Sequence, residues 1–254
     1  MKYTKPPAPN QEIVELLVNR GLDCSDKNRC EKYLQTVGYF RITGYMFHLQ
    51  EPGTHQFKAE TRFDDIILLY QFDKRLRYLL SDYLERLEIA MRSYLNNSYA
   101  LKYGFYWYLN ESLYDNKDVL HYIEKFITEE MANPSEQYLK KFVLKYTDEK
   151  YPPSNMAMEL LSFGKLSKMY EGLKNTEEKQ EIARSLGLTT TLLSSWLISL
   201  THVRNICAHH ARLWNRNLTA NRFIIPSRAK YKFNGEVTAF FNQKVYGIVS
   251  ILIR

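Results

Sequence analysis

Within Arg204-Asn205-Ile206-Cys207-Ala208-His209-His210-Ala211-Arg212-Leu213-Trp214-Asn215-Arg216, three arginines, two adjacent histidines and two asparagines crowd into thirteen residues. Arginine presents a planar fork of donors that matches a phosphate. Histidine titrates near neutral pH and so can both take and give a proton. Arg204 with His209 or His210 is therefore a minimal set for cleaving a phosphodiester without a metal ion, with Asn205 beside it to orient the groups.

Helical geometry constrains that reading. At about 100° per residue, His209 lies about 140° around an unbroken helix from Arg204, and His210 about 120° away on the other side. Either the helix bends or ends inside the motif, or a second copy of the chain completes the site, as a symmetric dimer abutting its two motif helices would. A purely structural reading competes: both histidines can sit at a helix C-terminus, where the dipole favours cationic side chains. A metal set of His202, Cys207 and a later histidine lacks standard zinc spacing. Cys207 reads better as a small buried residue on the Leu200 side of its helix.

A second polar feature sits upstream. Glu88 and Arg92 are four apart in the favourable order for an ion pair. Leu84, Met91 and Leu95 flank Glu88 on its own face, so it should be partly buried and need a partner, either Arg92 or Arg204. Glu85 and the Asp73–Arg77 pair read as a solvated or bundle-bracing set.

The elements that must position these groups are helices. Amphipathic helices are expected near 10–20 and 26–37, and Glu51-Pro52-Gly53-Thr54 reads as a turn. From Thr54 to Tyr103 there is no Gly or Pro. Within that span Leu69, Phe72, Leu76, Leu80, Tyr83, Leu87, Met91 and Tyr94 recur at three- and four-residue spacing, which predicts one long helix with a continuous buried stripe. Further helices are expected near 117–131 and 135–146, then from a cap at Ser154 or Asn155 through Leu173. A last one, capped by Thr189 to Thr191, buries Leu193, Trp196, Leu197 and Leu200 and delivers the Arg204 motif. Gly164 follows no strand and is not part of a phosphate loop. The expected fold is all-α: a helical bundle over 61–254 carrying the motif, with a small helical N-terminal extension over 1–60.

Charge points to a polyanionic partner. Of a net +7, the segment from Arg204 to Arg254 holds nine basic residues and one acid, while the preceding residues nearly balance. Such asymmetry suits nucleic acid first and an anionic membrane second. Arg212, Arg216, Lys230 and Lys232 are the expected backbone-tracking residues, and Tyr231 between the two lysines is a candidate for base stacking. Three cysteines without CxxC spacing argue against a disulfide framework and fit the reducing cytoplasm. The N-terminus has no apolar h-region, and no apolar run approaches bilayer length.

The motif from Arg204 to Arg216 resembles the signature of the Abi-like family, bacterial abortive-infection proteins of the AbiD/AbiF type. Lys5-Pro6-Pro7 before a helix, Val37-Gly38-Tyr39-Phe40-Arg41-Ile42-Thr43-Gly44-Tyr45 and Leu69-Tyr70-x-Phe72-Asp73-x-x-Leu76-Arg77 are similar to it as well. So are Leu87-Glu88-x-x-x-Arg92 and Glu159-Leu160-Leu161-Ser162-Phe163-Gly164, and the resemblance spans nearly the whole chain. That family is similar in turn to the HEPN superfamily of helical RNA-processing domains, marked by Arg, four to six residues, then His. Arg204 with His209 fits, and Arg204 with His210 fits almost as well. The resemblance implies a metal-independent endoribonuclease needing no cofactor, with its site formed across a homodimer. It further implies a growth-arresting toxin in phage defence, with a small inhibitory RNA restraining some relatives. A non-catalytic RNA-binding module and a protein-interaction sensor of infection are the alternative readings.

Overall fold

The computed structural model describes residues 2, 4, 6–218, 221–227, 233, 237 and 240–253. Among them the regular elements are eleven α-helices with short 3-10 turns, and β-pairing is confined to three isolated bridges. The fold is all-α, as the periodicity predicts. The chain divides into two compact units, Met1–Tyr78 and Leu79–Arg254, and the division falls inside a helix.

The first unit opens with α1 (Asn10–Asn19) and α2 (Lys27–Val37), close to their expected spans. Asp26 caps α2 by accepting the Arg29 N–H at 2.9 Å, satisfying one of the orphan donors of a helix start. Gly38, at φ 91°, adopts a conformation that L side chains avoid and lets α3 (Tyr39–Met46) leave α2 abruptly. Val14, Leu17, Leu34, Ile42 and Met46 form the core with Ile66 and Ile67 at the start of α4 (Phe63–Tyr103). That core also buries charge. The Tyr45 hydroxyl donates to Asp73 Oδ2 at 2.6 Å, and Arg77 pairs with the same oxygen. Burial, and then the Asp73 charge, raise the Tyr45 phenol well above its ordinary pKa. Asp73 and Arg77 thus brace the interior and are not a solvated set.

α4 is the long helix the sequence predicts, but its buried stripe follows the predicted one only at Leu80 and Met91. Phe72 and Tyr83 are 52% and 37% exposed, and Leu69, Leu76, Leu87 and Tyr94 are half-buried. The buried positions are Asp73, Arg77, Leu80, Leu84, Glu88, Met91, Leu95 and Tyr99. Three of these carry charge, so a pattern drawn from apolar residues alone settles on a neighbouring phase. The charges are tolerated because each is paired.

In the second unit, α5 (Lys117–Ala132) and α6 (Gln137–Lys145) match expectation. The single helix expected from Ser154 to Leu173 is two, α7 (Ser154–Leu160) and α8 (Phe163–Gly172), broken at Leu161 and Ser162. Neither Ser154 nor Asn155 caps α7; Pro153 occupies the N-cap, and the Ser154 hydroxyl turns to Asn96 Oδ1 at 2.8 Å. α8 packs on α5 so closely that a Cβ at Gly172 would lie 2.9 Å from Val119 Cβ. α9 (Glu177–Ser185), capped by Thr176, precedes α10 (Thr190–Ala208), whose start Thr189 caps as expected by accepting the Leu192 N–H. Leu193, Trp196, Leu197 and Leu200 are buried on α10, which packs against α8, α9 and α11 (Val245–Leu252). The irregular segment around Ile224, after the motif, is tied to α10: Trp196 Nε1 donates to the Ile224 carbonyl at 3.0 Å, and Ser195 Oγ accepts the Ile224 N–H at 2.8 Å. Among the described residues no single helix is long and apolar enough to cross a membrane.

Candidate active site

The motif helix ends inside the motif. Ala208 is the last residue of α10 and His209 its C-cap. The His210 N–H bonds the Cys207 carbonyl at 3.0 Å and the Ala211 N–H bonds the Ile206 carbonyl at 3.0 Å. This is a Schellman closure with His210 in the left-handed position, φ 53°, where glycine is the usual residue. A side chain there strains the backbone, and such strain clusters at functional sites. Termination at Ala208 releases His209 and His210 from the helical phase that set them against Arg204. Both are exposed in the turn.

Arg204 is held one turn before that closure. Its Nε donates to Glu88 Oε2 at 3.2 Å. The other oxygen, Glu88 Oε1, accepts from Arg92 Nη2 at 2.7 Å, so one carboxylate anchors two arginines. Arg92 Nη2 also donates to the Leu161 carbonyl at 3.0 Å. That carbonyl is available because the chain breaks between α7 and α8 at this residue. Arg92 Nε is buried without a hydrogen bond, 3.9 Å from Glu159 Oε2. The result is a carboxylate locked between α4 and α10 and a guanidinium whose terminal nitrogens make no hydrogen bond among the described residues. A pocket of about 390 Å³ opens beside it, walled by Ser81, Glu85, Glu88, Ile89, Arg92 and Arg204, with Ala208 at its end.

The structure therefore brings Arg204, Glu88 and Arg92 together and satisfies both pairings the sequence offered for Glu88. It does not place His209 or His210 on that pocket's wall, although Ala208 directly precedes them. Asn205, rotated about 100° from Arg204, lines a different pocket with His202. Burial, and then the Arg216 charge, lower the His202 pKa below its ordinary value. Arg212 and Arg216 are half-buried and each donates to a carbonyl of its own turn, Trp214 and Arg212 respectively, at 3.3 Å. Lys230, Tyr231 and Lys232 lie outside the described residues. Cys207 is buried, as its place beside Leu200 predicts, and Cys24, Cys30 and Cys207 form no disulfide. Ser81 and Ile89 also line the pocket and no motif marks them, while Glu159 and the Leu161 carbonyl come from the Glu159–Gly164 motif, which long-range packing brings to Arg92.

The family model described as Abi-like protein matches residues 32–215 of this chain. Comparison with curated proteins and with solved structures finds no match.

Proposed function

The chain belongs to the Abi-like protein family, whose membership implies a part in abortive infection, a form of phage defence; on that premise we propose that it is a metal-independent endoribonuclease of HEPN type. The observation that carries this reading is Arg204, fixed through Nε by Glu88 with its terminal nitrogens open, one turn before a strained histidine cap. A guanidinium braced in this way meets a phosphate without reorganising, which favours stabilisation of charge that develops in the transition state. Arg92 keeps Glu88 in place and leaves Arg204 to the substrate.

In the proposed reaction the 2′-oxygen of one nucleotide attacks the adjacent phosphorus and the bond from phosphorus to the 5′-oxygen breaks. His209 takes or returns the proton, with His210 as the alternative for the same role. The proton leaving the 2′-hydroxyl is balanced by one delivered to the departing 5′-oxygen, and the products are a 2′,3′-cyclic phosphate and a 5′-hydroxyl. Both histidines are exposed in the turn that follows Ala208, which suits a homodimer in which one copy supplies the arginine and the other the histidine. Arg212, Arg216, Lys230 and Lys232 would track the RNA backbone, and a small inhibitory RNA is a partner of matching charge.

End analysis tests the chemistry. The proposal expects cyclic-phosphate ends, and a strand carrying a single 2′-deoxynucleotide at a cleavage position should survive there. Products ending in a 3′-hydroxyl, or cutting that ignores the missing 2′-hydroxyl, would exclude the mechanism.

A further inference from the structure

On the α10 face turned away from Arg204 lies a second pocket, about 440 Å³, between α10 and the start of α8. We propose that it is a binding site in its own right for the phosphate group of a nucleotide. This inference does not depend on the cleavage reaction at Arg204.

Several independent features meet there. α8 begins at the pocket, and its N-cap residue Ser162 makes no side-chain cap hydrogen bond, so the first-turn N–H groups lack the usual side-chain acceptor. Such a terminus favours an anion through both its donors and its dipole. Lys165 and Lys168 stand on the same helix at the pocket wall, and neither forms an ion pair among the described residues. Their ammonium groups are held over aromatic rings, Lys165 Nζ 3.9 Å from the Phe126 centroid and Lys168 Nζ 4.9 Å from that of Tyr122. That placement orders two flexible cations in advance and reduces the entropy lost when an anion binds. Glu171 is the one carboxylate on the wall.

The opposite wall supplies neutral polar groups. Thr201 Oγ1 is buried at the pocket with no hydrogen-bond partner among the described residues. An unsatisfied buried hydroxyl is costly, and a bound phosphate oxygen would satisfy it. α8 approaches this wall at Gly164, where an added Cβ would lie 3.4 Å from Thr201 Cγ2, at van der Waals contact. Asn205 and the aromatic wall at Tyr122 extend the pocket beyond what a bare phosphate fills, and its volume is in the range of small-ligand sites. A nucleoside attached to the phosphate has room, an amide for its base edge and a ring beside it.

Calorimetric titration of the purified chain tests the assignment with AMP, inorganic phosphate, adenosine and a short 2′-O-methyl RNA strand as titrants. AMP and phosphate should bind and adenosine should not. Lys165→Gln/Lys168→Gln should weaken AMP by about tenfold or more, and the site those lysines form should persist in Arg204→Ala, which loses only the phosphate that Arg204 itself holds. Thr201→Val should weaken AMP yet raise the unfolding temperature, a combination that a structural role for Thr201 does not produce. If the lysine variant weakens the RNA strand as well, strand phosphates enter the pocket; if the strand is unaffected, the site serves free nucleotides. If the lysine variant weakens only the strand, the pocket's phosphate belongs to RNA. The assignment is overturned if neither AMP nor the strand binds, if the lysine variant, melting as the parent does, binds both as tightly, or if AMP binding disappears with Arg204→Ala.

Discussion

Arg92 and Arg204 share one carboxylate, and truncating each to alanine should have opposite consequences for stability and activity. Arg92 has 17% side-chain exposure and Glu88 9%. Arg92→Ala removes the 2.7 Å bond to Glu88 and the 3.0 Å bond to the Leu161 carbonyl, leaving Glu88 with only the 3.2 Å contact from Arg204. Stranding a buried charge costs about 3–5 kcal/mol. Residual exposure and the surviving Arg204 contact bring the expected loss to about 3 kcal/mol. Arg204 is 37% exposed and contributes one longer bond, and its removal leaves Glu88 still paired to Arg92. Arg204→Ala should therefore cost about 1 kcal/mol or less, as exposed pairs do. At about 2–4 °C per kcal/mol for a chain of this size, the melting temperature should fall by about 6–12 °C for Arg92→Ala and by less than about 4 °C for Arg204→Ala. Trp107, Trp196 and Trp214 all lie in the Leu79–Arg254 unit, so tryptophan fluorescence reports the unit that holds the site. If Arg204→Ala destabilised that unit as much as Arg92→Ala, Arg204 would be a structural brace and its assignment to substrate would fail.

Other perturbations bear on separate parts of the account. His210→Gly relieves the left-handed backbone, about 1 kcal/mol in the folded state, and loses a comparable amount through unfolded-state entropy. Its melting temperature should stay within a few degrees of the parent while RNA cleavage falls; unchanged cleavage would give His210 a purely structural role and leave the proton transfer to His209. Mixing Arg204→Ala chains with His209→Ala chains should restore activity up to about a quarter of the parent if each site takes its arginine from one copy and its histidine from the other. A mixture as inactive as its components would place the whole site within one chain, whereas activity in the His209→Ala chains alone would assign the proton transfer to His210. Gly172→Ala puts a methyl 2.9 Å from Val119 Cβ and should cost about 1–3 kcal/mol, with partial rescue by Val119→Ala. Burial pushes the phenols of Tyr99 and Tyr138 up to about 12. The folded chain holds those protons while the unfolded chain releases them near pH 10. Stability should accordingly be intact below pH 10 and decline as pH rises towards 12, and a phenolate difference titration that showed every tyrosine ionising in one step near pH 10 would contradict it.

The helical class and most helix positions are legible in the sequence because apolar periodicity is strong and Gly and Pro are few. α9 escapes that reading because Ile182 and Ala183 are its chief apolar contributions among charged neighbours. The phase of the α4 stripe escapes it because Asp73, Arg77 and Glu88 occupy core positions that apolar counting passes over. No proline marks the break between α7 and α8, and it is coupled to a contact with Arg92, 69 residues away in sequence. At the site, burial of Glu88 is legible from Leu84, Met91 and Leu95 around it, and a buried acid demands a cation. The Schellman closure is hidden because a histidine stands where its glycine signal would be. Only the three-dimensional packing separates Arg204 and Asn205, adjacent in the motif, into two different pockets.

The most direct measurement is incubation of the purified chain with mixed cellular RNA in excess chelator, beside the Arg204→Ala variant shown to be folded by its melting curve. Cleavage by the parent and none by the variant is the expected result. Equal cleavage in both lanes, or cleavage that the chelator abolishes, would contradict a metal-independent ribonuclease built on Arg204.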